Sequence, residues 1–265
     1  MKIGIVGCAG RMGRILLNAV MAAQGCDLAG GTERPGSTLV GADVGEVLGR
    51  GAIKAFIGEN PSALFAAADA VIDFTAPAAT VAHAALAAEM GKILVVGTTG
   101  LSAEDEAKLA EAARKTTIVY APNFSVGVNL LMALTEKAAS ILGEDYDIEI
   151  VEMHHHHKVD SPSGTALGLG RAAAKGRQVA LEDVWRKTRD GLVGARPRGE
   201  IGFATLRGGD VVGDHTVMFA SEGERIELTH KASSRAVFAK GAVRAALWAQ
   251  DKGPGLYSMR DVLGL

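Results

Sequence analysis

Cysteine, aromatic residues and an excess of either charge are all scarce in this sequence. Its 265 residues include 2 cysteines and 5% aromatic residues, and 28 Lys and Arg against 30 Asp and Glu leave a formal net charge of -2. Two cysteines are too few for a disulfide framework. A nearly neutral chain gives no electrostatic reason to expect nucleic acid or an anionic membrane as a partner.

Long apolar runs are also missing from the sequence. We find no segment that approaches the roughly 20 apolar residues needed to cross a bilayer. The chain opens with a short strand-like run rather than with the apolar core of a secretory signal, so we expect a cytoplasmic protein. A content of 48% hydrophobic and 22% charged residues is typical of a folded globular chain, whose length allows one large domain or two smaller ones.

The first half of the chain alternates short apolar runs with helical patterns. Such alternation predicts a doubly wound α/β domain with a parallel sheet that is buried on both faces. The apolar runs lie at 3–6, 27–31, 71–74, 93–96 and 118–120, and the clearest helical stretches at 11–24, 78–90 and 103–115.

The second half differs in pattern and predicts an α+β domain on a mixed or antiparallel sheet. Gly208-Gly209 and Glu222-Gly223 separate its last three strand-like runs as hairpin turns do. We therefore expect a dinucleotide-binding domain over 1–125, completed by the C-terminal segment 235–265, and a second domain over 126–234. The helical stretches of the second half lie at 126–142 and 235–250, and the strand-like runs at 146–153, 201–206, 214–220 and 225–230.

Three glycines, Gly7, Gly10 and Gly13, follow the first apolar run and open a helix. A residue without a Cβ lets the backbone approach a pyrophosphate, and the N–H groups of the helix start then face its oxygens. The spacing is one residue longer than the usual G-x-G-x-x-G pattern. Because strand, glycines and helix occur in this order, we favour dinucleotide binding over a plain turn, with Arg11 and Arg14 as further positive charge.

Three later segments add candidate nucleotide contacts. Glu33 and Arg34 follow the second apolar run, where an acid accepts hydrogen bonds from ribose hydroxyls and an arginine pairs with a 2′-phosphate. The two together fit both NADH and NADPH, although a solvated charged turn explains them equally well. The loops 97–100 and 121–124 follow predicted strands, so they can reach a nicotinamide, or they are simple connecting turns.

The densest chemistry lies between residues 154 and 165, where four histidines precede Lys158 and the sequence SPSGT. Two of the histidines would share one side of an extended chain, but no paired cysteines or HExxH helix complete a zinc site, so we expect no metal. The hydroxyls at 161–165 are typical of a helix start, whose first N–H groups bind carboxylates. A histidine beside them supplies a proton near neutral pH.

The segment Glu149–Ala166 resembles the signature of the 4-hydroxy-tetrahydrodipicolinate (dihydrodipicolinate) reductase family. That signature reads E, a branched aliphatic residue, x, E, x, H, three free positions, K, x, D, x and PSGTA. Further segments that look like this family lie at 7–13, 97–99, 121–127 and 230–235. The resemblance thus extends over nearly the full chain.

The resemblance implies NAD(P)H-dependent reduction of a cyclic imine dicarboxylate to tetrahydrodipicolinate, in diaminopimelate and lysine biosynthesis. It implies that His154 donates a proton and that Lys158 is a second acid, and that the second domain binds the substrate and joins a homotetramer. The residues implied for the substrate carboxylates are His155, Ser163, Gly164 and Thr165. The residues implied for the nucleotide are Gly7, Cys8, Ala9, Gly10, Arg11, Met12, Glu33, Arg34, Gly97, Thr98, Thr99, Ala121, Pro122, Asn123 and Phe124.

Two other functions remain as alternatives from the residues themselves. One is another two-domain NAD(P)-dependent oxidoreductase that acts on an amino acid or a sugar, against which the predicted carboxylate site speaks. The other is a nucleotide-sensing protein without catalysis, which needs the glycines but not His154 and Lys158. Oxidation of the reduced nucleotide by a dicarboxylate imine separates these alternatives.

Overall fold

Seven parallel strands form the sheet of the first of two units. The computed structural model describes residues 1–265. The first unit comprises Met1–Val126 and Arg235–Gly264, and the second comprises Gly127–Ser234 and Leu265. The strands of the first unit are β1 (Lys2–Val6), β2 (Asp27–Thr32), β3 (Ile57–Gly58), β4 (Ala70–Asp73), β5 (Ile93–Val96), β6 (Thr117–Tyr120) and, last in the chain, β12 (Gly255–Tyr257).

The strand order in this sheet is β12-β6-β5-β4-β1-β2-β3, with every pair parallel. The chain order reverses between β1 and β4, and ligands of doubly wound folds bind at such a point beyond the carboxyl ends of the strands. The helices of this unit are α1 (Arg11–Ala22), α2 (Val44–Val47), α3 (Pro61–Ala67), α4 (Pro77–Met90), α5 (Ala103–Ala113), α9 (Ala236–Ala249) and α10 (Met259–Leu263).

Both faces of the parallel sheet are covered, as the continuous apolar runs predict. Successive residues of a strand point to opposite faces. In β4, Ile72 joins the core formed with α1 and α9, whereas Val71 joins the core formed with α3, α4 and α5. The doubly wound prediction is therefore confirmed.

A five-stranded mixed sheet forms the second unit, in the order β11-β10-β7-β9-β8. The strands β10 and β11 pair antiparallel, as do β10 and β7, while β7, β9 and β8 run parallel. The elements are α6 (Val126–Leu142), β7 (Asp147–His154), α7 (Gly164–Gly176), α8 (Leu181–Val184), β8 (Trp185–Arg186), β9 (Ile201–Arg207), β10 (Gly213–Ser221) and β11 (Glu224–Ala232).

One predicted hairpin is wrong. Gly208-Gly209 connects β9 to β10, but these strands are not neighbours because β7 lies between them. Glu222-Gly223 does join an antiparallel neighbouring pair, β10 and β11. The insertion of β7 at the centre of the sheet places the C-terminal end of β7, at His154, between strands from later in the chain.

The sequence led us to expect no segment long and apolar enough to cross a membrane, and this expectation is wrong. One helix meets the criteria of length and composition. The stretch Val126–Asp145 passes that test, with a mean hydropathy of 1.2 over its most apolar window, of which 22% is buried. Its Leu131 and Ala139 belong to the core of the second unit. A single stretch of this kind is weak evidence, because core helices of soluble proteins pass the same test.

Candidate functional site

The glycine loop between β1 and α1 takes the shape that close backbone approach requires. Gly7 has a φ of +64°, and its carbonyl accepts a hydrogen bond from the N–H of Gly10 at 3.1 Å. A Cβ on Gly13 would lie 2.6 Å from the Cα of Cys8, so α1 can begin this close to the loop only with glycine. No side chain caps α1, which leaves its first turn suited to an anion.

Some residues in and beside the loop are buried and maintain its conformation, whereas others are exposed. Cys8 is fully buried, its N–H donates to the carbonyl of Thr32 at 3.1 Å, and burial with nearby Glu33 raises its pKa to about 12. The Cys8 side chain therefore belongs to the core of the first unit and not to the surface of the loop. The Glu33 carboxylate accepts a hydrogen bond from the N–H of Ala9 at 2.7 Å, which ties the end of β2 to the loop, and Arg34 is exposed.

A cavity of about 360 Å³ opens beside this loop in the first unit. It brings together eight of the residues expected to bind nucleotide: Arg11, Met12, Gly97, Thr98, Thr99, Pro122, Asn123 and Phe124. The expected residues Gly7, Cys8, Ala9, Gly10, Glu33, Arg34 and Ala121 do not line it. Of these, Gly7 to Gly10 form the glycine loop, Glu33 and Arg34 follow β2, and Ala121 is buried directly after β6. The expected nucleotide contacts therefore extend along the carboxyl edge of the sheet.

Four further residues line this cavity that the sequence interpretation did not include: Phe74, Thr75, Arg235 and Phe238. The ring of Phe74 lies over Gly97, where a Cβ would overlap it, and 5.6 Å from the ring of Phe124. The position of Phe74 directly after β4 was the available signal, since it matches that of the loops that were included. Arg235 closes the family-like segment 230–235, which was its available signal, whereas no motif marks Phe238.

A second group of functional side chains lies at the end of β7. Residues of this strand alternate between half-buried and buried, so Ile148, Ile150, Glu152 and His154 share the buried face. Nδ1 of His154 is 2.6 Å from Oε2 of Glu152. On this face, the apolar Ile148 and Ile150 are followed by an acid and a histidine.

Glu152 is the centre of this group. Its carboxylate accepts two hydrogen bonds from the guanidinium of Arg207, at 2.8 and 2.9 Å, and one from the N–H of Ser163 at 3.0 Å. Burial opposes its ionisation, but the hydrogen bonds from His154, Arg207 and Ser163 outweigh burial and lower the pKa of Glu152 to about 2. The carboxylate is therefore ionised at neutral pH and holds the histidine and the start of α7 together.

The ionised carboxylate sets the state of the His154 ring. Because a carboxylate only accepts, Nδ1 of His154 carries the proton that points to Glu152. Nε2 is then the nitrogen left to act on a ligand. It lies beside Gly213, where a Cβ would sit 2.9 Å from it.

His215 supports the start of α7 from β10. Its Nε2 lies 3.0 Å from the hydroxyl of Ser163, which also accepts the N–H of Ala166 at 3.1 Å as the helix cap. Burial, together with the nearby charge of His154, lowers the pKa of His215 to about 4. His215 is consequently uncharged at neutral pH, and its ring packs edge-on against His154 with centroids 5.1 Å apart.

Lys158 lies in the turn between β7 and α7. Its Nζ donates to Oδ1 of Asp160 at 2.8 Å, a contact that lowers the pKa of Asp160. The N–H of Lys158 donates to the carbonyl of His155, so the chain turns here instead of continuing as a strand. Arg207 also donates to the carbonyl of Asp160, at 2.7 Å, and thereby ties this turn to Glu152.

The histidines after His154 do not alternate in direction as they would in an extended chain. The rings of His156 and His157 are both exposed and 3.9 Å apart, and Nδ1 of His156 lies 2.9 Å from the carbonyl of Gly209. The turn after β7 therefore places neighbouring rings on one side. No three His, Cys, Asp or Glu side chains of the chain are grouped to hold a metal ion.

The low pKa of Glu152 gives a testable pH dependence. The folded pKa of about 2 lies below the ordinary value of 4.5, so ionised Glu152 stabilises the fold above pH 4.5 and loses this effect as pH falls toward 2. We expect Glu152→Gln to unfold more easily than the wild type near neutral pH, because the Arg207 charge loses its partner. We also expect the variant to show a shallower loss of stability on acidification.

Urea unfolding as a function of pH checks this expectation. Glu59→Gln, at an exposed position, is the matched control and should follow the wild-type curve. A Glu152→Gln curve parallel to that of the wild type over the acidic range would show that this carboxylate does not titrate at low pH.

Family models match both parts of the chain. The model described as dihydrodipicolinate reductase, N-terminus, matches residues 1–124, and the one described as dihydrodipicolinate reductase, C-terminus, matches residues 127–263. The 4-hydroxy-tetrahydrodipicolinate reductase of Dinoroseobacter shibae is 59% identical over 263 residues, covering 99% of this chain and 98% of that protein. That of Brucella abortus is 55% identical over 266 residues, covering 100% and 99%.

Solved structures also align with nearly the full chain. Dipicolinate-bound dihydrodipicolinate reductase from Paenisporosarcina sp. TG-14 aligns with a TM-score of 0.76 at 25% identity, over 97% of each chain. An amine dehydrogenase from Mycobacterium smegmatis aligns with a TM-score of 0.62 at 12% identity, over 98% of this chain and 95% of that one, and shows likeness of fold alone.

Proposed function

Since the chain belongs to the dihydrodipicolinate reductase family, and reduces 4-hydroxy-tetrahydrodipicolinate to tetrahydrodipicolinate with NADH or NADPH in lysine and diaminopimelate biosynthesis, we propose which of its residues do so. His154 supplies the proton, and Lys158 is a second acid and substrate contact. The start of α7 binds the carboxylates of the substrate. The observation that carries this assignment is the Glu152 carboxylate, which holds both the His154 ring and the N–H of Ser163.

The nucleotide is assigned to the glycine loop and the adjoining cavity. The positive φ of Gly7, the close start of α1 and the uncapped first turn fit a pyrophosphate, and the cavity walls fit a planar ring beside Phe74. The expected contacts from Gly7 to Met12, at 33 and 34, at 97–99 and at 121–124 surround these two features. When bound there, the reduced nucleotide supplies the hydride.

His154 is suited to proton donation because of its partner. Reduction of the ring adds one hydride and one proton, so an acid must supply the second of these. The ionised Glu152 accepts the Nδ1 proton of His154 and thereby orients the ring, so that Nε2 is the nitrogen that serves the substrate. The neutral ring of His215 adds no competing positive charge, since burial lowers its pKa to about 4.

The start of α7 offers several hydrogen-bond donors to the carboxylates of the substrate. Gly164 is exposed in the first turn of this helix, and Ser163 caps it. First-turn N–H groups bind anions, and the adjacent ammonium of Lys158 adds charge. His155, Ser163, Gly164 and Thr165 form the carboxylate-binding group in this proposal, and Lys158 offsets the charge that develops on the ring.

Competition with ring diacids tests the carboxylate assignment. We expect pyridine-2,6-dicarboxylate to inhibit competitively with the imine substrate, and pyridine-2-carboxylate to inhibit at least about tenfold more weakly, because it lacks the second charged contact. The assay follows oxidation of the reduced nucleotide. Equal inhibition by both acids would contradict recognition of two carboxylates by this group.

We further propose that the enzyme is a homotetramer joined through the sheet of the second unit. One face of this sheet packs on α7, with Ile150, Phe203 and Val217 in the core. On the opposite face Met153 is half-buried and its register partner Leu206 is 50% exposed. Exposed apolar side chains within a sheet face are a feature of subunit interfaces. Light scattering should give about four times the chain mass of 27.3 kDa, and a monomer mass would contradict the proposal.

A further inference from the structure

A buried carboxylate at the end of β4 joins three segments of the first unit. Asp73 has no exposed surface, and its Oδ1 accepts hydrogen bonds from the N–H of Thr75 at 2.8 Å and from the hydroxyl of Thr75 at 2.6 Å. Its Oδ2 lies 2.8 Å from Nδ1 of His83 in α4. The hydroxyl of Thr98, in the loop after β5, donates to Oδ1 at 3.3 Å.

The hydroxyl of Thr98 has no capacity left for a ligand. Besides donating to Asp73, it accepts the N–H of Thr75 at 3.1 Å and the hydroxyl of Thr80 at 2.7 Å. A hydroxyl offers one donor and two acceptor sites, and all three are used within the protein. Thr98 is 3% exposed, so its side chain holds the cavity wall together, and only the exposed Thr99 presents a hydroxyl of this loop at the surface.

The segments joined by Asp73 are walls of the cavity. Phe74 and Thr75 come from one side, and Gly97 to Thr99 from the other. The N–H of Gly97 donates to the backbone carbonyl of Asp73 at 2.8 Å, and the Phe74 ring lies directly on Gly97. Asp73 is therefore hydrogen-bonded to both walls.

The chemistry of the carboxylate indicates more than fold stability. Burial opposes ionisation of Asp73, and the contacts from His83 and Thr75 more than compensate, which lowers its pKa. A buried charged group contributes little net stability compared with well-packed apolar residues, but the hydrogen bonds that it accepts impose a definite geometry. Phe65 and the surrounding apolar residues would accommodate an apolar group at lower desolvation cost.

We propose that Asp73, with His83, Thr98 and Thr80, is a positioning cluster that sets the shape of the nucleotide cavity before the nucleotide binds. None of these four side chains touches the reacting atoms in this proposal. The cluster acts through Phe74, Thr75 and the loop after β5. The inference rests on the placement of the nucleotide proposed above.

Nucleotide binding by Asp73→Asn tests the cluster. We expect the Kd for NADH, measured by its fluorescence, to rise about tenfold, because the hydrogen bonds to a charged acceptor are lost. The KM for the dicarboxylate and the kcat at saturating NADH should stay within about twofold, since preorganisation affects binding of the nucleotide alone. Thr80→Val should raise the Kd by about threefold and Thr80→Ser should restore it, because serine keeps the donor.

The controls separate positioning from folding and from the placement of the nucleotide. Thr135→Val removes another buried threonine hydroxyl, in α6 of the second unit, and should leave the Kd for NADH unchanged. If Asp73→Asn does not fold, the two Thr80 variants decide the question. A lower Tm with an unchanged Kd in Asp73→Asn and Thr80→Val would overturn the proposal. If Gly13→Ala also leaves the Kd unchanged, the placement of the nucleotide itself is wrong.

Discussion

Replacement of His154 by glutamine is expected to lower kcat/KM for the dicarboxylate substrate by about a hundredfold to ten-thousandfold, the usual contribution of a general acid. Glutamine keeps a polar group of similar length near Glu152 but cannot deliver a proton. The Kd for NADH should not change, because His154 lies in the second unit and the glycine loop in the first. Steady-state kinetics with either reduced nucleotide measures the effect.

The neighbouring histidine supplies the control for this experiment. His156 is exposed, its Nδ1 lies 2.9 Å from the carbonyl of Gly209, and its ring lies beside that of His157. His156→Gln should therefore retain wild-type kinetics. Comparable activity of His154→Gln and His156→Gln would remove His154 from the chemistry.

Replacement of Gly13 by alanine is expected to have the second large effect. The added Cβ would sit 2.6 Å from the Cα of Cys8, so either α1 or the glycine loop must move. Overpacking of this kind costs about 1–3 kcal/mol, which corresponds to a loss of roughly fivefold to 150-fold in binding if the strained loop is also the nucleotide site. We expect a higher KM for NADH and a lower Tm in the same variant.

Gly253→Ala is the matched control for Gly13→Ala. A Cβ on Gly253 meets no atom within 4 Å, so this variant should keep both the Tm and the nucleotide affinity of the wild type. If Gly13→Ala lowers the Tm but leaves the KM for NADH unchanged, the loop is important for folding only and the nucleotide lies elsewhere.

The parallel sheet of the first unit could be predicted because its signals are local. Strands buried on both faces read as continuous apolar runs, and the runs at 93–96 and 118–120 agree with β5 and β6 to within one residue. The short β3 and β12 escaped notice because 2 or 3 residues are too few to show a pattern. Both lie at the edges of the sheet, where less burial is required.

The support for His154 could not be predicted because it depends on strand register. Arg207 pairs with His154 across β9 and β7, and His215 pairs with Glu152 across β10 and β7. These partners lie more than 50 positions apart in the sequence, and only the central place of β7 brings them together. The signal for Glu152 itself was present, since it stands two residues before His154 and so shares a face of the strand.

A crystal structure with NADH and pyridine-2,6-dicarboxylate bound is the most direct measurement of where the reduction takes place. We predict that the dicarboxylate contacts His155 and the first turn of α7, with Nε2 of His154 facing its ring, and that the pyrophosphate lies on the loop from Gly7 to Met12. A dicarboxylate bound away from residues 154–165, or a nucleotide bound away from the glycine loop, would contradict the proposed site.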